Sequence, residues 1–401
     1  MRTGKNDISG WLVRPAGGPA WAVLVAVLGA SALSAARAAP DGGMDNAIVV
    51  RAARTWLAGG SPYDDQHFLY LPSAVLAAVP QALLPGSVLR VLAPLAVTGL
   101  LVLAWGCALR LHRVPYGSRL GVLGPIGLAA GFAPFGHLVR LGNWTVTAAL
   151  GLPLCLLLAS RGRWTAAGAV IGASVALKPL LAPVVLLFVF AGRWRALAAA
   201  VLVPALASGA AALLMPDPAG FLTRTLPFLL HGDDGFLRLY EASPAAVLPR
   251  LGVAGPLAQG AAAAAAGAGV LCAYLRWRRA DAGPLRYAET GAGLMLSAFL
   301  VSRPSYDHYL LVAVPLLLAG LPYAGAVARG PWFWLALVPQ APGLTWPWLE
   351  SARQRAFKDA FTLCGLGWAV ARQARGGAGP AGDHGGGGRA RDPERVSAAP
   401  F

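Results

Sequence analysis

A bilayer-crossing helix needs ~20 mainly apolar residues, fewer where it is short or broken. Apolar blocks of this kind lie at 19–38, 88–109, 120–136, 144–160, 164–177, 180–192, 196–215, 257–275, 287–303, 306–322, 331–346 and 358–371. Short polar joints separate them. The pattern predicts an all-α, polytopic transmembrane helical bundle of about 12 spans. Ala36, Arg37, Ala38, Ala39 and Pro40 resemble a signal-peptide cleavage site at the end of the first block. The segment that follows carries candidate chemistry, so the first block reads as an uncleaved helix.

Between the first two blocks, residues 39–87 form an expected outer loop. Residues 44–58 read as a short surface helix with Ile48, Ala52 and Trp56 on one side and Asn46, Arg51 and Arg54 elsewhere. Gly59, Gly60, Ser61 and Pro62 end it. Residues 68–84 are apolar but broken by Pro72 and Pro80 and bounded by Pro85, which favours a re-entrant or interfacial helix. A second large outer loop is expected at 216–256. Residues 1–18 and 372–401 read as cytoplasmic tails, the second Gly- and Arg-rich and disordered. The domain between them runs from 19 to 371.

Composition agrees with a membrane setting: of 401 residues 57% are hydrophobic and 12% charged. Soluble domains carry about 25% charged residues. The formal net charge of +16 invites a nucleic-acid reading. The charges instead sit in short clusters between apolar blocks, and most Lys and Arg fall in alternate joints. With the N-terminus inside, this is the positive-inside pattern, so no nucleic acid is expected as a partner. The expected location is a bacterial cytoplasmic membrane, with both termini cytoplasmic. Cys107, Cys155, Cys272 and Cys364 all lie in apolar blocks without metal-ligand spacing and read as packing residues. His231, Asp233 and Asp234 lack a ligand frame, so no metal site is expected.

Ionisable groups are costly in a bilayer, so those collected at one side of the spans are informative. The outer ends hold Asp41, Asp45, His67, Tyr70, His137, Arg140, Asn143, Lys178, Arg303, Tyr306, Asp307 and His308, which points to an outward-facing polar cavity. Each has a plainer reading. Asp45 is placed to cap the helix over 46–58. Lys178 is placed to snorkel at a hairpin tip. Arg303 and His308 have Asp307 beside them as a partner. Tyr63 and Tyr70 suit an aromatic belt. His137 and Arg140 read as loop polarity.

The order of motifs resembles a known family. Asp45 follows the first helix, then come Gly59-Gly60-Ser61-Pro62-Tyr63 and Phe68-Leu69-Tyr70-Leu71-Pro72. Gly142-Asn143-Trp144-Thr145 opens a span, Ala176-Leu177-Lys178-Pro179 breaks a hairpin, and Ser302-Arg303-Pro304-Ser305-Tyr306-Asp307-His308-Tyr309 closes the series. This pattern resembles glycosyltransferase family 87, polyprenyl-phosphate-mannose-dependent enzymes of the GT-C class, over roughly residues 20–325. The resemblance implies transfer of a sugar, mannose or another hexose, from a polyprenyl-phosphate donor to a hydroxyl of a cell-envelope lipid or glycan, with inversion. It implies no cofactor. It nominates Asp45 as the base, with Asp41 as the fallback. Lys178, Arg303 and His308 are nominated for the donor phosphate, and Asn143, Tyr63 and Tyr70 for substrate contact. The family's usual Gly-Gln is Gly142-Asn143 here, and Ile48 and Val49 stand where an aromatic often follows the Asp. A secondary transporter or flippase for a lipid-linked sugar stays open beside the enzyme, because the hairpin at 164–192 is broken like a transporter helix.

Overall fold

The protein is described by a computed structural model covering residues 7–39, 41–231, 239–279, 283–344 and 352–376. Among these residues there is no β-strand, only one isolated bridge between Pro15 and Ser118. The helices are α1 (Asp7–Val13), α2 (Gly18–Ala38), α3 (Met44–Leu57), α4 (Pro72–Ala82), α5 (Gly86–Leu111) and α6 (Arg119–Gly131). Then come α7 (Ala133–Leu141), α8 (Thr145–Ser160), α9 (Trp164–Leu177), α10 (Val185–Phe190), α11 (Trp194–Leu213) and α12 (Leu226–His231). Last are α13 (Pro244–Val247), α14 (Gly255–Arg278), α15 (Pro284–Phe299), α16 (Val314–Leu318), α17 (Pro331–Leu337) and α18 (Ala352–Gly376).

Four helices, α2, α5, α11 and α14, are long and apolar enough to cross a membrane, and the bent pair α6–α7 passes the same test only when the two are counted together. The chain is a multi-pass membrane protein. Four further apolar helical stretches, Thr145–Ser160, Trp164–Leu177, Pro179–Phe190 and Asp307–Leu318, are only 10–17 residues long, so helix length does not reach the expected count of about 12. The expected single span over 120–136 is instead two helices meeting at 77°. Phe132 is extended at the junction and Pro134 follows it, lacking the N–H that would continue the ladder.

Helices α9 and α11 pack through small residues. A methyl on Gly168 would lie 2.1 Å from the Ala196 carbonyl oxygen, so only glycine permits this approach. The main core gathers around α8, with Leu152, Cys155 and Leu156 fully buried. Within it Arg276 Nε donates to Glu289 Oε2 at 2.6 Å, both side chains buried. A paired, hydrogen-bonded ion pair is the form in which buried charge is tolerated.

Residues 41–85 are α-helical in two places. α3 is a short helix and α4, of 11 residues, is too short to cross. The face of α3 differs from expectation: Asn46, Val49, Val50, Ala52 and Ala53 are buried, and Ile48 and Trp56 only partly. The reason is the Trp144 indole, which donates to Asn46 Oδ1 at 3.0 Å and so makes a buried place for a polar side chain. Arg224 pairs with Asp217 at 2.6 Å and with Asp64, tying the segment after α11 to the segment after α3.

Both expected tails are partly helical. α1 sits within 1–18, held by buried Leu12 and by Trp11 stacked under the Arg119 guanidinium at 4.7 Å. α18 runs on to Gly376, while the rest of the expected tail lies outside the described residues, as do Asp233 and Asp234. Cys155 and Cys272 are buried as expected, but Cys364 is exposed on the outside of α18.

Candidate active site

Two loop crossings set the site. Gly43 precedes α3 with φ 107°, and a methyl there would lie 2.3 Å from the Leu141 carbonyl oxygen. Gly142 follows α7 with φ 61°, and a methyl there would lie 2.3 Å from the Gly42 carbonyl oxygen. Both positions combine a left-handed backbone with backbone-to-backbone contact, which only glycine accepts. The crossing brings the start of α3 against the start of α8, and with it Asp45 against Asn143.

Asp45 does not cap α3. The N-cap is Gly43, and no side chain caps the helix. Asp45 Oδ2 instead accepts a hydrogen bond from Asn143 Nδ2 at 2.5 Å. Asn143 Oδ1 accepts from Lys178 Nζ at 2.7 Å and from the Thr145 backbone N–H at 2.7 Å. Lys178 Nζ also donates to Thr145 Oγ1 at 2.9 Å, and its charge faces the rings of Tyr309 at 5.1 Å and Tyr70 at 5.7 Å. Lys178 therefore stands in the break between α9 and the 3₁₀ turn Pro179–Val184, turned into the protein instead of snorkelling outward. Burial pushes the Tyr70 phenol well above its usual range, with Asp45 adding to the effect, so it stands as a neutral hydroxyl.

A cavity of about 770 Å³ opens on this chain of contacts. Its walls hold Asp45, Asn143, Lys178, Tyr70, Arg303 and His308 from the expected set. Asp41 is exposed and outside the lining. Tyr63 is also outside it, buried against Phe68 and Phe221 with ring centroids 5.5 and 6.3 Å away. It is packing in the loop core.

The same cavity is lined by a second polar cluster. Asp307 Oδ2 accepts from Arg355 Nη2 at 2.7 Å and from His137 Nδ1. Its Oδ1 accepts the backbone N–H of His308 at 2.7 Å. Asp307 is thus held by Arg355 and His137, and among the described residues no hydrogen bond or ion pair engages Arg303, which is an exposed part of the lining. His308 is buried, stacked on Tyr306, with Nε2 lacking a hydrogen-bond partner. Asp359, buried one turn after Arg355, accepts from Gln340 Nε2 at 2.8 Å.

His137, Asp359 and Arg355 were not legible as site residues. His137 looked like loop polarity because the bend between α6 and α7 was not visible in an unbroken apolar block. Arg355 and Asp359 sit beyond the motif series, and the one available signal was their charge at the outer end of a predicted span. The first cluster opposes one carboxylate to one ammonium across an amide. The second holds a buried carboxylate between a guanidinium and an imidazole. Such a cavity can accept a proton at Asp45 and receive an anion at Lys178.

Comparison with known families decides the class. The model of glycosyltransferase family 87 matches residues 68–304. The chain belongs to glycosyltransferase family 87. The matched stretch carries Tyr70, Asn143, Lys178 and Arg303; Asp45 and Asp307 lie outside it and are joined to it by the contacts above. An alpha-(1->3)-arabinofuranosyltransferase of Mycobacterium tuberculosis (strain ATCC 25618 / H37Rv) is 35% identical over 181 residues, 43% of this chain and 41% of that relative. The protein of the same name from Corynebacterium glutamicum is 26% identical over 261 residues, 63% of this chain and 60% of its own length. This family 87 chain therefore matches about two-fifths to three-fifths of the length of these relatives. Among solved structures, ArnT from Cupriavidus metallidurans bound to undecaprenyl phosphate aligns with TM-score 0.43 and 16% identity, over 89% of this chain and 78% of that one.

Proposed function

We propose that this family 87 chain transfers a sugar from a polyprenyl-phosphate-linked donor to a hydroxyl of a cell-envelope lipid or glycan. The observation that carries the reading is the hydrogen-bonded series Asp45–Asn143–Lys178 on the wall of one cavity. The acceptor hydroxyl oxygen attacks the anomeric carbon from the face opposite the phosphate. Its proton passes to the Asp45 carboxylate. The bond from the anomeric carbon to the phosphate oxygen breaks, and the electron pair leaves with the polyprenyl phosphate. Lys178 stabilises that departing charge, and Arg303 and His308 line the same cavity for the donor. A single displacement of this kind inverts the anomeric centre.

The reaction belongs at the outer face of a bacterial cytoplasmic membrane, with both termini cytoplasmic and a GT-C-like bundle of about 12 spans behind the cavity. The positive-inside pattern of the joints supports this placement. On the sugar, the family resemblance favours mannose or another hexose, and the relatives' names favour arabinofuranose.

Purified protein given polyprenyl-phosphate mannose and polyprenyl-phosphate arabinofuranose, with lipid and glycan acceptors, tests the reading. The expected result is an inverted product from one donor, lost in Asp45→Asn. Translocation of the lipid-linked sugar without transfer, unchanged in Asp45→Asn, would establish the transporter alternative instead.

A further inference from the structure

Asn143 stands between the two charges on which the proposed reaction depends. Its side chain is buried, 4% exposed. The orientation of its amide is fixed by its neighbours. Oδ1 faces an ammonium at 2.7 Å and a backbone N–H at 2.7 Å, and Nδ2 faces a carboxylate oxygen at 2.5 Å. A flipped amide would set donor against donor and oxygen against oxygen at all three contacts. The backbone cannot drift either, since the glycine crossing at Gly43 and Gly142 leaves no room for it.

An unscreened carboxylate and ammonium so close would form a contact ion pair. Such a pair engages the lone pairs that a base needs and the charge that a phosphate needs. The amide prevents this. An ammonium has three N–H donors. Lys178 uses two of them, on Asn143 and Thr145, which leaves one. Asp45 uses Oδ2, and among the described residues Oδ1 carries no hydrogen bond. One donor on a cation and one acceptor on a carboxylate thus stay available in the same cavity. They match an anion and a hydroxyl, the two groups that meet in glycosyl transfer.

We infer that Asn143 is a positioning residue: a neutral spacer that holds Asp45 and Lys178 apart so that each keeps one valence for substrate. The inference rests on the glycosyltransferase reading and reassigns Asn143 from substrate contact to this role.

The test is binding of undecaprenyl phosphate to the detergent-purified full chain, which needs neither acceptor nor sugar. In Asn143→Ala, Lys178 closes on Asp45 and affinity falls by about tenfold or more, the size of one lost charge-assisted contact. Adding Asp45→Asn to Asn143→Ala removes the competing carboxylate and restores affinity to near the level of Asp45→Asn alone. A merely structural role would give a loss that the second substitution does not repair. Asn143→Ser, which also lacks the bridging amide, repeats the comparison should Asn143→Ala fail to fold. Unchanged affinity in Asn143→Ala, or a loss that Asp45→Asn does not rescue, overturns the inference while leaving the transferase reading intact. No binding by the unmodified chain overturns both.

Discussion

Arg355 Nη2 donates to Asp307 Oδ2 at 2.7 Å, joining the last described helix to the wall of the cavity. His137 shares the same carboxylate oxygen. Asp307 is 6% exposed, so this is a carboxylate that needs its partners. Removing one partner of a buried charge leaves the other uncompensated. Arg355→Ala is therefore expected to lower stability by about 1–3 kcal/mol and to depress transfer. Arg355→Lys keeps the charge but loses the planar fork, and should recover only part of both. Thermal unfolding in detergent and initial transfer rates check this.

Asp45→Asn keeps shape and polarity but removes the carboxylate proposed as the base. Transfer should fall by about 10²–10⁴-fold, the usual worth of a positioned proton acceptor. Binding of undecaprenyl phosphate should persist, because Lys178 is untouched. Loss of binding alongside rate would mean that Asp45 holds the donor instead of the proton.

Lys178→Met removes the charge and keeps the length. The donor phosphate then lacks its nearest cation in both ground and transition states. Donor KM should rise and kcat should fall, with kcat/KM down by about 10²-fold or more. Steady-state kinetics with varied donor measure the split. An unchanged kcat would place Lys178 in binding alone.

Gly142→Ala tests the loop crossing. A methyl there meets a carbonyl oxygen at 2.3 Å on a backbone with φ 61°. Relief requires moving Asn143 away from Asp45. Stability should fall by about 1–3 kcal/mol, and transfer should fall more than stability explains. Gly162→Ala, where φ is 75° and nothing lies within 4 Å, is the control for the backbone term alone.

Arg276 and Glu289 offer a test far from the cavity. Their side chains are 5% and 3% exposed and bonded at 2.6 Å. Glu289→Leu leaves a buried guanidinium without its carboxylate and should cost about 3–5 kcal/mol. The double change Arg276→Met with Glu289→Leu should recover part of that, since the guanidinium is no longer buried, while the Val327 N–H still lacks its Glu289 Oε1 acceptor. Unfolding midpoints of the single and double variants decide it.

The all-helical architecture, the short helix over 44–58 and the broken hairpin at Lys178 were legible in the residues alone. These follow from local hydropathy, proline and glycine, which act on the neighbouring backbone whatever the rest of the chain does. The family resemblance nominated Asp45, Asn143, Lys178 and His308, and polar groups gathered at span ends pointed to a cavity. Tertiary structure decided which of these meet. Asp45 reaches Asn143 across 98 residues and Lys178 reaches Asn143 across 35. Asn46, read as lying off the apolar side of its helix, is buried because Trp144 supplies a donor 98 positions away. Tyr63 was drawn into the loop core by Phe221. Arg355 and His137 joined Asp307 only through helix packing and the bend after α6. Periodicity reports which face of an element is apolar. It carries no term for which polar partner, far along the chain, will be waiting on that face.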